Sequence, residues 1–194
     1  MSIPPDPVRL VIIAIPPQPL RQRLEDLRDR LAELSGSRAA MAWPVHLTLR
    51  TGALVPPERL RDFFHEFGQW VATIPAFPIV LGNFVVTSLA DSGQQGGGAN
   101  FAGFEVKPKP ELMDAHRRLV QFEAYKKSEQ YTYNPHVTMA FDDLSDEGAQ
   151  NIRSVAKEMG YLPVGQSWTC DRVDCYAWQG GTWQSAASLP LRGV

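Results

Sequence analysis

A four-residue pattern, histidine–apolar–threonine–apolar, occurs twice in this chain, as His46-Leu47-Thr48-Leu49 and His136-Val137-Thr138-Met139. Each copy sits at the same place in a longer repeat. In the first half, residues 8–15 are rich in β-branched side chains and close on Pro16-Pro17, which predicts a buried strand. Leu20, Leu24, Leu27, Leu31 and Leu34 follow in alternating steps of four and three, the spacing of one helical face, and Ser35-Gly36-Ser37 ends that helix. His46 then begins a short strand, and Pro56-Pro57 opens a second helix with Leu60, Phe63, Phe64, Phe67 and Val71 inward. The second half repeats this order. A strand at 100–107 stops at Pro108 and Pro110, and a helix turns Leu112, Ala115, Leu119 and Phe122 inward. A polar loop leads to the strand at His136, and Ser145 caps a helix that carries Ile152, Val155, Ala156 and Met159 inward and ends at Gly160. Further strands are expected at 79–89 in the first half and at 169–178 and 183–189 in the second.

The repeat is one of pattern, not of identity, and it predicts an α+β fold of two pseudo-symmetric lobes. Each lobe is a mostly antiparallel sheet with helices on its outer face, and the sheets face each other across a central groove. The whole of 1–194 is one domain, with lobes at about 8–90 and about 100–190, and the glycine-rich segment 92–100 is a hairpin tip between them. At this length a chain buries roughly 70% of its unfolded surface, so it needs no metal or disulfide staple. Cys170 and Cys175 are five apart. On a shared strand they would face opposite ways, and two thiols are too few for the usual structural zinc sites. The apolar run near the N-terminus is too short to cross a bilayer and has no basic lead, so it reads as a strand in a cytoplasmic protein. No apolar helix is left over to call for a membrane or an obligate protein partner, and a monomer is the expectation. A formal charge of −2 speaks against general electrostatic binding of long nucleic acid, but it leaves room for a small anion held by a few donors.

Residues i and i+2 of a strand share a face, so His46 and Thr48 project together, as do His136 and Thr138, while Leu47, Leu49, Val137 and Met139 pack beneath. Facing lobes bring two imidazoles and two hydroxyls to one groove. That set suits phosphoryl transfer without a metal or other cofactor. Imidazole has an ordinary pKa near 6.5, so one ring can accept a proton while the other donates one. The hydroxyls can hold the non-bridging phosphate oxygens. A single His-x-Thr on a strand is weak evidence; two at matched places in matched repeats are hard to ascribe to chance.

The paired tetrads, in the contexts VHLTLR and NPHVTMAF, together with the surrounding repeat and the C-terminal strand pair, resemble the two-histidine (2H) phosphoesterase superfamily, and within it the bacterial 2'-5' RNA ligases and RNA 2',3'-cyclic phosphodiesterases. The resemblance covers nearly the whole chain. It implies that His46 and His136 are the catalytic pair, with His136 activating water and His46 protonating the leaving oxygen, and that Thr48 and Thr138 bind the phosphate. The implied substrate is an RNA end, an oligonucleotide or a small cyclic nucleotide. Arg50 matches a common family choice and would share the face of His46 on an unbulged strand. Where RNA-acting relatives often carry a basic residue after the second tetrad, this chain has Ala140-Phe141, which makes Phe141 a further candidate for substrate contact.

Trp43 before the first tetrad, and Tyr131 and Tyr133 before the second, either stack a nucleobase at the rim or pack as structural aromatics. Lys126 and Lys127 either steer a phosphate or lie on a solvated loop. Trp178 and Trp183 flank Gly180-Gly181 as hairpin packing, and His65 and His116 read as ordinary, partly exposed helix residues. Two other classes fit less well. An RNA-binding module would show a basic-glycine-aromatic strand motif, which NFAGFEVK lacks. A metalloenzyme would need a third ligand beside the histidines, for which only Asp142 and Asp143 lie near.

Overall fold

The computed structural model describes residues 6–87, 100–125, 132–157 and 162–193. The readings of Lys126, Lys127, Tyr131, Met159, Gly160 and most of the glycine-rich segment fall outside these residues. Eight strands, β1 (Val8–Ala14), β2 (Leu47–Val55), β3 (Phe77–Thr87), β4 (Phe101–Val106), β5 (His136–Phe141), β6 (Ser167–Cys170), β7 (Arg172–Gln179) and β8 (Thr182–Pro190), form an antiparallel sheet in the order β6-β3-β4-β5-β2-β1-β7-β8. Among the described residues four helices accompany them, α1 (Leu20–Ser35), α2 (Leu60–Val71), α3 (Pro110–Leu119) and α4 (Asp146–Ala156). Among the described residues no helix is long and apolar enough to cross a membrane.

The two motif strands stand side by side at the centre of the order, joined by a single register pair, Leu47 opposite Val137. That seam divides the sheet into two halves of four strands, the lobes expected from the repeat. The lobes exchange strands, however. β3 continues the first half of the sequence but pairs with β4 in the second lobe, whereas β7 pairs with β1 in the first. The single strand expected at 169–178 is broken at Asp171: β6 pairs with β3 on one side of the molecule and β7 with β1 on the other. Hydrophobic alternation is the same in either pairing, so it marks a strand without saying which neighbour it will take. The two cysteines consequently lie on different strands, both as buried free thiols, and burial pushes each up to about 12.

The tetrads turn their apolar residues to the core: Leu47, Leu49 and Val137 are 0% exposed and Met139 2%. α1 lays Leu20, Leu24, Leu27 and Leu31 on it, and α3 adds Leu112, Ala115 and Leu119. α1 ends at Gly36, whose positive φ of 76° lets its N–H turn back to Ala32. α4 starts at Ser145, whose hydroxyl accepts the Gly148 N–H at 3.0 Å. A capping-box glutamate is excluded at Gly148, because a Cβ there would lie 2.8 Å from the Ser35 carbonyl where the end of α1 crosses.

Gly103 in β4 is the tightest point beside the seam. It stands opposite Thr138, and a Cβ there would meet the Val137 carbonyl at 2.4 Å and the Phe101 ring at 2.6 Å. Gly103→Ala is therefore expected to cost about 1–3 kcal/mol through overpacking, read as a lower urea midpoint; an unchanged midpoint would show that β4 yields at no cost.

Candidate active site

With Leu47 opposite Val137, extending the antiparallel register by one residue each way sets His46 across from Thr138 and Thr48 across from His136. Directly opposed Cβ atoms in an antiparallel pair lie about 4.5–5.5 Å apart. By this register the four groups stand at the corners of a square on the face of the seam away from the core, and His136 is near enough for its charge to act on His46. Both strands then depart from regularity at the same tetrad position. The β1–β2 register shifts between Ile12 and Ile13, leaving Leu49 as the extra residue, and the β4–β5 register shifts between Ala102 and Gly103, leaving Met139. Such bulges kink a strand and re-aim the side chains beyond it.

The burial patterns match residue for residue: buried, half-buried, buried, buried, exposed for Leu47 to Thr51 and for Val137 to Phe141. This corrects one expectation. Arg50 does not share the open face of His46; it is 1% exposed, with its guanidinium carbon 5.0 Å from the centre of the Tyr125 ring. Phe141, by contrast, is brought out and stands 46% exposed.

Both imidazoles are held in the same way. His46 Nδ1 lies 2.7 Å from the Pro44 carbonyl and His136 Nδ1 2.8 Å from the Asn134 carbonyl, each two residues back. A carbonyl can only accept, so Nδ1 carries the proton in each ring and Nε2 is the nitrogen left for chemistry. Their surroundings differ. His46 is half-buried, with Trp43 at 5.2 Å between ring centres, and His136 is exposed, with Phe101 set edge-on at 5.1 Å. Desolvation pulls the His46 pKa down to about 4, against the raising effect of the Pro44 bond, and the nearby His136 and Arg28 push the same way.

Behind the square lies a layer of polar contacts that no motif announced. The bulge at Leu49 takes its carbonyl out of the ladder, and His116 of α3 meets it through Nδ1 at 2.7 Å. His116 is thus not a partly exposed helix residue: it is 8% exposed, and burial lowers its pKa despite the bond to Leu49. Its ring stacks on Tyr133 at 3.8 Å and 4°, and the Tyr133 hydroxyl donates to the Thr48 carbonyl at 2.9 Å. Tyr133 therefore ties the approach to the second motif to the backbone of the first. On the other side, Arg28 of α1 donates to the Trp43 carbonyl at 2.7 Å. Asp143 receives Ser37 Oγ at 2.6 Å and the Arg38 and Ala39 N–H groups at 2.7 and 3.1 Å. Burial alone would raise the Asp143 pKa, but these bonds hold it below the usual value.

Helical spacing is the available signal for the hidden pair. Arg28 falls with Leu24, Leu27 and Leu31, and His116 with Leu112, Ala115 and Leu119, each on the buried stripe of its helix. Phe101 has a fainter one, in that Gly103 two residues on clears the space over which its ring lies. His65 is exposed, as expected. A cleft of about 580 Å³, lined in part by Asn83, Glu105, Lys107, Tyr133 and Asn134, borders the second motif. Among the described residues no three His, Cys, Asp or Glu side chains converge as a metal site.

The His46 shift has a consequence for stability. Between pH 6.5 and about 4 the unfolded chain binds a proton at this position that the folded chain refuses, so stability falls as pH falls through that window. His46→Gln removes the effect. Urea midpoints taken from pH 7 to 4 should fall less in this variant than in the wild type; equal declines would contradict a desolvated His46.

The profile of the 2'-5' RNA ligase superfamily matches residues 16–182. No curated protein matches the chain by sequence. Among solved structures, E. coli LigT complexed with 3'-AMP superposes with a TM-score of 0.65 at 18% identity, covering 96% of this chain and 99% of that one. TT0787 of Thermus thermophilus gives 0.64 at 16%, over 95% and 98%. Kluyveromyces marxianus Usb1 gives 0.54 at 13%, over 95% and 98%. At these identities the likeness is one of fold.

Proposed function

The chain belongs to the 2'-5' RNA ligase superfamily, and from that premise we propose that it is a metal-independent phosphodiesterase that opens 2',3'-cyclic phosphates of RNA ends or nucleotides to 2'-phosphates. The observation that carries this reading is the square itself, two imidazoles with free Nε2 atoms and two threonine hydroxyls facing one another across the Leu47–Val137 seam.

A phosphate seated there has a hydroxyl donor from each strand for its non-bridging oxygens and an imidazole on either side. One imidazole takes a proton from water as the water oxygen attacks phosphorus. The other gives a proton to the ribose 3'-oxygen as its bond to phosphorus breaks, so the ring opens and charge balances. The resemblance assigns the first role to His136 and the second to His46. An imidazole with a pKa of about 4 is neutral in the empty site at pH 7. As donor, His46 therefore takes up its proton together with the substrate, whose anionic phosphate favours the imidazolium. With a ribose 5'-hydroxyl in place of water, the same groups form the new bond to phosphorus and expel the 3'-oxygen, which is ligation through a 2'-5' bond; the reverse of that step cleaves the 2'-5' bond and re-forms the cyclic phosphate. That LigT has been crystallised with 3'-AMP supports a nucleotide of this size.

Purified protein incubated with 2',3'-cyclic nucleotides in excess chelator should yield the 2'-phosphate. His46→Ala and His136→Ala should each lower the rate by about 10²- to 10⁴-fold, the usual worth of one general acid or base. Turnover that survives either change would exclude the two-histidine mechanism.

A further inference from the structure

We propose that the aromatic face of β7 and β8 is the nucleobase platform of this site, so that a substrate lies with its base over the first lobe and its phosphate on the seam. The inference deepens the reading above and rests on it. Ile13 is paired with both Thr48 and Asp174, so the face of β7 that carries Asp174, Tyr176 and Trp178 is the face that carries Thr48. Val173, Cys175 and Ala177, on the other side, are buried and complete the core without them.

The rings on this face form a continuous path away from the catalytic square. Trp43 lies 5.2 Å from His46, Trp183 4.2 Å from Trp43, and Trp178 5.3 Å from Trp183, with Tyr176 6.5 Å from Trp43. Burial falls off along the path: Trp43 and Trp183 are half-buried and Trp178 is 41% exposed. Trp178 and Trp183 are direct cross-strand partners, but hairpin packing alone does not call for a path of indoles running back to His46.

Among the described residues the second lobe offers no equal run of indoles. Tyr133 stands three residues before His136, as Trp43 stands three before His46, but one face of its ring is covered by His116 and its hydroxyl is bonded to Thr48. Beside His136, β4 presents Phe101, Gly103 and Glu105, with the exposed Phe141 opposite Phe101, two phenyl rings rather than a run of indoles. An aromatic wall that begins at the phosphate site fits a base joined to that phosphate through one ribose. Stacking accepts any base, so the platform selects for nucleotides over sugar phosphates rather than for one sequence.

Calorimetric titrations of the full chain with 3'-AMP and with inorganic phosphate test this. Trp178→Ala and Trp183→Ala should weaken 3'-AMP roughly five- to a hundred-fold and leave phosphate unchanged, the worth of one lost stacking partner. Trp178→Phe and Trp183→Phe should recover most of the loss, which separates a missing ring from a misfolded hairpin. Nucleotide affinity that is untouched in the alanine variants, or that falls in step with phosphate affinity, overturns the platform. If 3'-AMP binding is lost in His46→Ala but kept in both tryptophan variants, the phosphate site stands and the platform falls. If it survives His46→Ala and is lost with the tryptophans, the platform stands and the phosphate reading fails.

Discussion

One backbone pairing organises the molecule. β2 and β5 meet only at Leu47 and Val137, and everything proposed for the site follows from that contact. Because the two strands are antiparallel, a single pair is enough to set each histidine opposite the other strand's threonine. Because the pairing does not continue, the lobes on either side keep separate faces, and the groups on them are open to a ligand. Strand exchange reinforces the seam. β3 and β7 each come from one half of the repeat and complete the sheet of the other, so neither lobe is a separable unit.

A short seam must be held by something besides its own ladder. The bulges at Leu49 and Met139 end the regular alignment just past each threonine, and the freed Leu49 carbonyl is met by His116. Tyr133, stacked on His116, adds a bond to the Thr48 carbonyl and so couples the two motifs directly. Asp143 does the corresponding work across the other end, gripping the turn that leads to Trp43 and His46. The two imidazoles, fixed identically through Nδ1, are then made different by their neighbours, His46 shielded and His136 open. Unequal environments of this kind let two copies of one side chain take opposite proton-transfer roles.

What depends on period and repetition is legible in the sequence. The tetrads, the buried sides of their strands, the helices over them and the α+β class all follow from alternation and from 3.6-residue spacing. What stays hidden depends on pairing. The break at Asp171, with β6 and β7 going to opposite lobes, cannot be seen in a run that alternates correctly throughout. Counting residues along a regular strand sets Arg50 beside His46, and the count fails at the bulge; the same displacement is what brings Phe141 out. His116 and Arg28 are hard to find because a polar residue on an apolar helical stripe looks like the stripe's edge. The backbone carbonyls that they satisfy exist only in the folded chain.

The most direct test of the square is to follow the ring nitrogens of all four histidines by NMR as inorganic phosphate is added to ¹⁵N-labelled protein. A single phosphate bound between His46 and His136, as proposed, should move both Nε2 resonances along one binding curve, with the His46 pKa rising from about 4. Movement of only one of the two rings, or two curves with different dissociation constants, would show that the imidazoles do not share a phosphate.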